Sequence, residues 1–175
     1  AAIYRALRPC GGMAYVGVDE RAPTAAVALE GLVRAGVPRA EISAVDGRAV
    51  VTRGVLPGAG SWTHLYANSE RSGASNDQRV RLPLRLLWFG EPGPAVLISR
   101  HWRGPAPLSV DGRLFVIGEK CLIAVDAYNG RQLWEKTLPN VGRWPVDSKG
   151  SNAAADADSV FLAVGTTCQR FAAGT

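Results

Sequence analysis

The sequence predicts a mixed fold. An α/β portion occupies residues 1–55, a linker occupies 56–61, and all-β, four-stranded antiparallel repeat units fill 62–175. Three observations predict it. Helical and strand-like runs alternate through the first third. The stretch Gly54-Val55-Leu56-Pro57-Gly58-Ala59-Gly60, rich in Gly and Pro and free of charge, then interrupts the pattern. Beyond it helical spacing disappears, and short β-rich runs separated by Gly, Asn and Asp recur.

The front elements follow from local chemistry. Residues 3–7 read as the last turns of a helix, stopped by Arg8-Pro9-Cys10-Gly11-Gly12, because Pro cannot continue a helix and Gly suits a left-handed cap. Residues 13–18 (MAYVGV) are expected to form a buried strand. Thr24 is a candidate N-cap for a helix over 25–35, with Val27, Leu29, Leu32 and Val33 at helical spacing and Gly36 as its stop. Residues 41–45 and 49–53 flank Asp46-Gly47, a strong hairpin turn.

This order, with the turn Leu7-Arg8-Pro9-Cys10-Gly11-Gly12, resembles the C-terminal end of a class I S-adenosylmethionine-dependent methyltransferase. In that family a Leu-(Arg/Lys)-Pro-Gly-Gly turn feeds a parallel strand; here Cys10 is an additional residue. The resemblance implies the last part of a Rossmann-like domain. Its cofactor loop would lie upstream of Ala1, so S-adenosylmethionine could be bound only by a larger parent protein.

The second portion repeats. Leu87-Trp88 and Leu133-Trp134 lie 46 residues apart, and so do Leu114-Phe115-Val116 and Val160-Phe161-Leu162. A period of about 40 to 50 residues fits one four-stranded blade of a β-propeller. In the best-preserved unit, strands are expected over 107–110, 113–117, 121–125 and 131–137, with turns at Asp111-Gly112, Gly118-Glu119 and 126–130. The equivalence places Trp88 and Trp134 in matching outer strands.

Within this unit, Ala124-Val125-Asp126-Ala127-Tyr128-Asn129-Gly130-Arg131-Gln132-Leu133-Trp134 is similar to the signature of pyrroloquinoline-quinone (PQQ) repeat propellers, Ala-x-Asp-x-x-Thr-Gly-x-x-x-Trp. Asn129 replaces the usual Thr. The resemblance implies that Trp88, Ala124, Asp126, Gly130 and Trp134 dock neighbouring blades and are structural rather than ligand-binding. In the next unit Ala172 stands where the Asp is expected, and the matching Trp would fall beyond Thr175. The chain is therefore expected to be a truncated piece of a larger bacterial protein. Residues 62–68 (WTHLYAN) resemble the opening strand of such propellers, expected to pair with a last blade that is missing here.

Candidate ligand contacts at the propeller rim are His101, Trp102 and Arg103 on one long loop and Arg143 and Trp144 on another, where aromatic and charged side chains combine. Composition narrows the partners. The 20 basic and 15 acidic residues give a net charge of +5. They are scattered, and the densest run, residues 79–85, alternates Arg with Val, Leu and Pro; this argues against nucleic acid. No apolar run approaches the ~20 residues of a membrane-spanning helix. Cys10, Cys121 and Cys168 form no CxxC pair, and the 2 histidines stand apart, so no metal site is expected.

No complete catalytic centre is legible, and no cofactor is demonstrable in this stretch. The expected function is a binding or scaffold propeller, with a protein or small-molecule ligand at the rim or channel, joined to a methyltransferase-like domain. The resemblances imply two alternatives: a quinoprotein oxidoreductase holding PQQ in the parent protein, or a methyltransferase whose active site lies upstream. The propeller family points to the periplasm or cell envelope, the methyltransferase family to the cytoplasm.

Overall fold

A computed structural model describes residues 2–17, 24–90, 96, 106–141 and 152–174. The chain divides into two compact units, residues 1–57 and 58–175.

The first unit contains α1 (Ala2–Ala6), β1 (Met13–Val16), α2 (Ala25–Arg34), a 3-10 turn (Arg39–Glu41), β2 (Ile42–Val45) and β3 (Arg48–Thr52). Its sheet has the order β1-β3-β2, and both pairings are antiparallel. Asp46 (φ 48°) and Gly47 (φ 74°) make the two-residue turn between β2 and β3. The central strand β3 buries Ala49, Val50 and Val51. Val51 packs with Val37 and Ile42, and Tyr4, Leu7, Leu29 and Leu32 cover them.

The Rossmann-like α/β expectation is overturned here. Among the described residues no strand pair is parallel, and three small antiparallel sheets with two α-helices make up the chain. The physical reason lies in β1. A parallel strand of an open α/β sheet is covered on both faces. Met13 and Tyr15 are instead 51% and 54% exposed, so β1 is an edge strand with one wet face. MAYVGV has a buried strand's composition but not its surroundings.

Cys10, between Pro9 and the two glycines of this turn, has a clear conformational role. Cys10 adopts φ 60° and Gly11 φ 104°. That reversal lets the Cys10 and Gly11 amides donate to the carbonyls of Gly54 (2.8 Å) and Arg53 (2.7 Å), while the Arg53 amide donates back to Gly12 (2.8 Å). The Arg53 guanidinium donates to the carbonyls of Arg5 and Leu7 at the end of α1, where a cation complements the helix dipole.

The second unit contains two meanders. One runs β4 (Leu108–Val110), β5 (Arg113–Gly118), β6 (Cys121–Asp126) and β7 (Gln132–Thr137). The other runs β8 (Asn152–Ala155), β9 (Ser159–Val164) and β10 (Thr167–Ala172). Their registers repeat at the spacing read from the sequence. Leu108 opposes Phe115 and Ala154 opposes Phe161; Gly118 opposes Cys121 and Val164 opposes Thr167. The two sheets share one core, in which Leu108, Phe115, Leu122 and Ala124 meet Ala155, Val160, Leu162 and Ala173. The far face of the first sheet buries Cys121, Ile123 and Val125 beneath Val96 and Leu114.

Two placements differ from expectation. Trp134 lies in β7, but Trp88 lies outside any strand, because among the described residues no strand runs beside it. Residues 62–68 form no continuous strand either. Trp62 bridges Ser109 of β4, and His64 bridges Ala154 of β8, so this segment lies along the first strands of both sheets.

The Gly12 position tests the turn. A Cβ there would sit 2.4 Å from the Arg8 carbonyl oxygen, which belongs to rigid backbone. Gly12→Ala is expected to destabilise the first unit by about 1–3 kcal/mol, as forced overpacking does. Urea unfolding with a midpoint equal to that of the parent chain would contradict this account.

Candidate functional site

The residues of the repeat signature fall at two indole contacts, one made by Trp88 and one by Trp134. Asp126 is buried, and its Oδ1 accepts the Tyr128 amide at 2.9 Å. The Gly130 amide donates to the Asp126 carbonyl at 2.8 Å, and Gly130 holds φ 74°. This turn receives Trp88. The indole Nε1–H donates to the Ala127 carbonyl at 2.9 Å, and the ring lies so close that a Cβ on Gly130 would come within 2.4 Å of it. Ala124 is fully buried in the strand behind.

One period later the arrangement recurs. Trp134 Nε1–H donates to the Ala173 carbonyl at 3.2 Å, and the ring packs at 5.9 Å from Phe115. The turn backbones match as well. The Ala127 amide donates to Gly112 at 2.9 Å, and the Ala173 amide donates to Asp158 at 2.8 Å. Ala172 replaces Asp126 in this copy, so the second turn keeps its backbone bond but has no carboxylate at that position.

A groove of about 420 Å³ opens where the 61–71 segment meets β8, β9 and β10. His64, Tyr66, Asn68 and Arg71 line one side; Asn152, Ala154, Phe161 and Cys168 line the other. The segment is anchored at both sheets. Trp62 and Ser109 exchange backbone bonds of 2.8 and 2.9 Å, and the Ala155 amide donates to Thr63 at 2.9 Å. Ala67 (φ 75°) and Arg71 (φ 58°) take left-handed conformations that fold the segment back. The Arg71 guanidinium lies 5.1 Å from the centre of the Tyr66 ring, and His64 Nδ1 pairs with Thr63 Oγ1 at 2.8 Å. The groove thus offers a cation held on an aromatic face, carboxamides and an apolar floor.

Asp77 fixes the following loop. Its carboxylate accepts the amides of Gly60, Arg79 and Val80, each at 2.7 Å. These three bonds, the one from Gly60 foremost, hold its pKa below the usual carboxylate value.

The rim candidates His101, Trp102, Arg103, Arg143 and Trp144 lie outside the described residues. Among the described residues no group of three or more His, Cys, Asp or Glu could hold a metal ion. No helix among them is long and apolar enough to cross a membrane. The sequence does not reveal the groove, because residues 62–68 read as a strand whose partner lies in another blade. The alternation Trp62, His64, Tyr66 was the available signal: it puts a ring or imidazole at every second position of an edge segment.

No protein-family model matches the chain, and no curated protein or solved structure matches it either.

Two outcomes check the seam and the loop. Trp134→Ala is expected to cost about 3 kcal/mol, the lower end for a tryptophan because the ring is only partly buried. Trp134→Phe, which keeps an aromatic and loses the donor, should cost about 1 kcal/mol. Equal thermal stability of all three proteins would refute the seam. For Asp77, a folded pKa below the unfolded one means its contribution is present above the ordinary carboxylate range. It is lost as pH falls through the depressed value. Amide exchange at Gly60, Arg79 and Val80 should therefore accelerate in acid, and Asp77→Ala should be fast already at neutral pH.

Proposed function

We propose that the chain is a binding or scaffold module of the PQQ-repeat propeller type, with its partner in the groove between residues 61–71 and β8–β10. The observation that carries this reading is the pair of indole donors. Trp88 to Ala127 and Trp134 to Ala173 make the same bond one period apart, each from one repeat to the turn of the next. Sheets that lean on their neighbours in this way form a repeat array, in which rims and inner edges are the surfaces left to bind. The groove sits at such an edge. Its Arg71–Tyr66 pair and the carboxamides of Asn68 and Asn152 suit a peptide with an acidic or terminal carboxylate group.

The antiparallel sheet of the first unit gives no ground for proposing a methyltransferase activity. The quinoprotein reading is the competing outcome of the test. Random peptides should be selected on the immobilised chain, and their affinity measured for the parent, Tyr66→Ala and Arg71→Ala chains. The expected result is carboxylate-bearing peptides that lose about tenfold or more in each variant, or about 1.4 kcal/mol. Peptides indifferent to both changes, or saturable binding of PQQ in the presence of calcium, would overturn the reading.

A further inference from the structure

Residues 60–77 fold on themselves through their side chains. Asp77 accepts the Gly60 amide at 2.7 Å, Asn76 Oδ1 accepts the Ser61 amide at 3.0 Å, and Asn68 Oδ1 accepts the Ser72 amide at 3.1 Å. Ser75 Oγ accepts the Asp77 amide at 3.3 Å. Backbone bonds close the turns between them: the Arg71 amide meets the Asn68 carbonyl at 3.0 Å, and the Gly73 amide meets the Tyr66 carbonyl at 3.2 Å. Asp77, Asn76, Asn68 and Ser75 are thus all held through their acceptors.

A pocket of about 220 Å³ opens within this loop, lined by Ser61, Ala67, Asn68, Ala74, Ser75 and Asn76. It is complete within one continuous stretch of chain and shares only Asn68 with the groove. Ala67, buried and left-handed at φ 75°, is its fixed apolar wall.

The hydrogen bonds decide what the pocket has left to offer. A backbone N–H can be met only by the oxygen of a carboxamide, so these bonds set which way Asn68 and Asn76 are turned. Their NH2 groups are left over, and they donate to no group among the described residues. The Ser61 hydroxyl is likewise unused, and Ser75 has spent a lone pair but not its proton. Carboxamide NH2 groups and hydroxyls therefore share one small pocket, and its spare valence is for donation.

We propose that this pocket binds a carboxylate group through neutral donors. A carboxylate carries about four lone-pair sites on its oxygens, which suits the NH2 groups of Asn68 and Asn76 and the hydroxyls of Ser61 and Ser75. Bonds to an ionised acceptor are roughly twice as strong as neutral ones, so a carboxylate gains more from this set than an amide carbonyl does. A metal cation does not fit. Among the described residues no carboxylate lines the pocket, and both carboxamide oxygens are already engaged. A phosphate dianion would call for Arg or Lys, and neither lines it. The volume is below the roughly 300–1,000 Å³ of sites for larger ligands, so it suits the carboxylate end of a small acid or of a peptide.

The test is a titration of the 175-residue chain with sodium acetate, against sodium chloride at matched ionic strength, followed by the side-chain NH2 resonances of Asn68 and Asn76. Both should shift and saturate at roughly millimolar acetate, an affinity in keeping with so few heavy atoms. Asn76→Asp is the decisive variant. Its carboxylate can still accept the Ser61 amide, but it has no NH2 and adds a negative charge. Acetate affinity should fall about tenfold or more while the Ser61 amide stays protected from exchange. Ser61→Ala removes a hydroxyl that holds nothing among the described residues, so it leaves the loop's own bonds intact and should also weaken acetate. A tripeptide with a free C-terminus separates the two sources. Tighter binding than acetate assigns a chain end, and equal binding assigns a small acid.

Acetate shifts that do not saturate, or that chloride reproduces, overturn the proposal. So do preference for inorganic phosphate, equal binding of the C-terminally amidated tripeptide, and affinities unchanged in Asn76→Asp and Ser61→Ala. Tyr66→Ala and Arg71→Ala, which weaken the groove, should leave acetate binding unchanged. Acetate lost in those two variants but kept in Asn76→Asp would place it in the groove and count against the pocket.

Discussion

The second unit depends on an indole N–H reaching a backbone carbonyl in the turn of the next sheet. A single β-sheet three or four strands wide cannot bury both of its faces alone. It needs a neighbour, and the neighbour needs a fixed distance and orientation. Tryptophan supplies both, with a large apolar area and one donor that must be satisfied when covered. At the first seam that requirement propagates backwards into the turn. Gly130 must be bare, because any side chain would enter the Trp88 ring. The Asp126 carboxylate holds the Tyr128 amide next to the Ala127 carbonyl that meets the indole. Thus Gly130, Asp126 and Trp88 are the mechanical parts of one contact.

That dependence explains why the repeat was legible. A contact needing a Trp, a bare turn residue and a fixed strand length leaves the same residue types at the same spacing. The β5 and β9 registers then follow at 46 residues. Where Asp126 becomes Ala172, the indole bond is still made, at 3.2 Å rather than 2.9 Å. The carbonyl and the packing are the part the seam cannot lose, and the carboxylate reinforces them.

The first unit was misread for a reason that is equally physical. Alternating helices and strands fix the order of elements but not the direction in which strands pair. Met13, Tyr15 and Val16 have the composition of a covered parallel strand, and only the neighbours of β1 show that one face is wet. Cys10 is the local clue. It occupies a left-handed conformation that brings the turn into register with residues 53 and 54. A strand that enters the sheet beside the final hairpin strand, bonded to it from the first residue, is an antiparallel edge.

The groove was illegible for a third reason. Its two walls are about ninety residues apart in sequence, and nothing local in His64, Tyr66 or Arg71 points to Asn152 or Cys168. They meet because residues 62–64 bridge β4 and β8 in turn. The seam fixes the separation of those two sheets, and the bridging segment can span them only at that separation. Loss of the Trp134 contact would therefore move Asn152 and Phe161 away from Tyr66 and Arg71 without touching any of them. The stability of the two-sheet core and the shape of the groove are linked through one indole that does not line it.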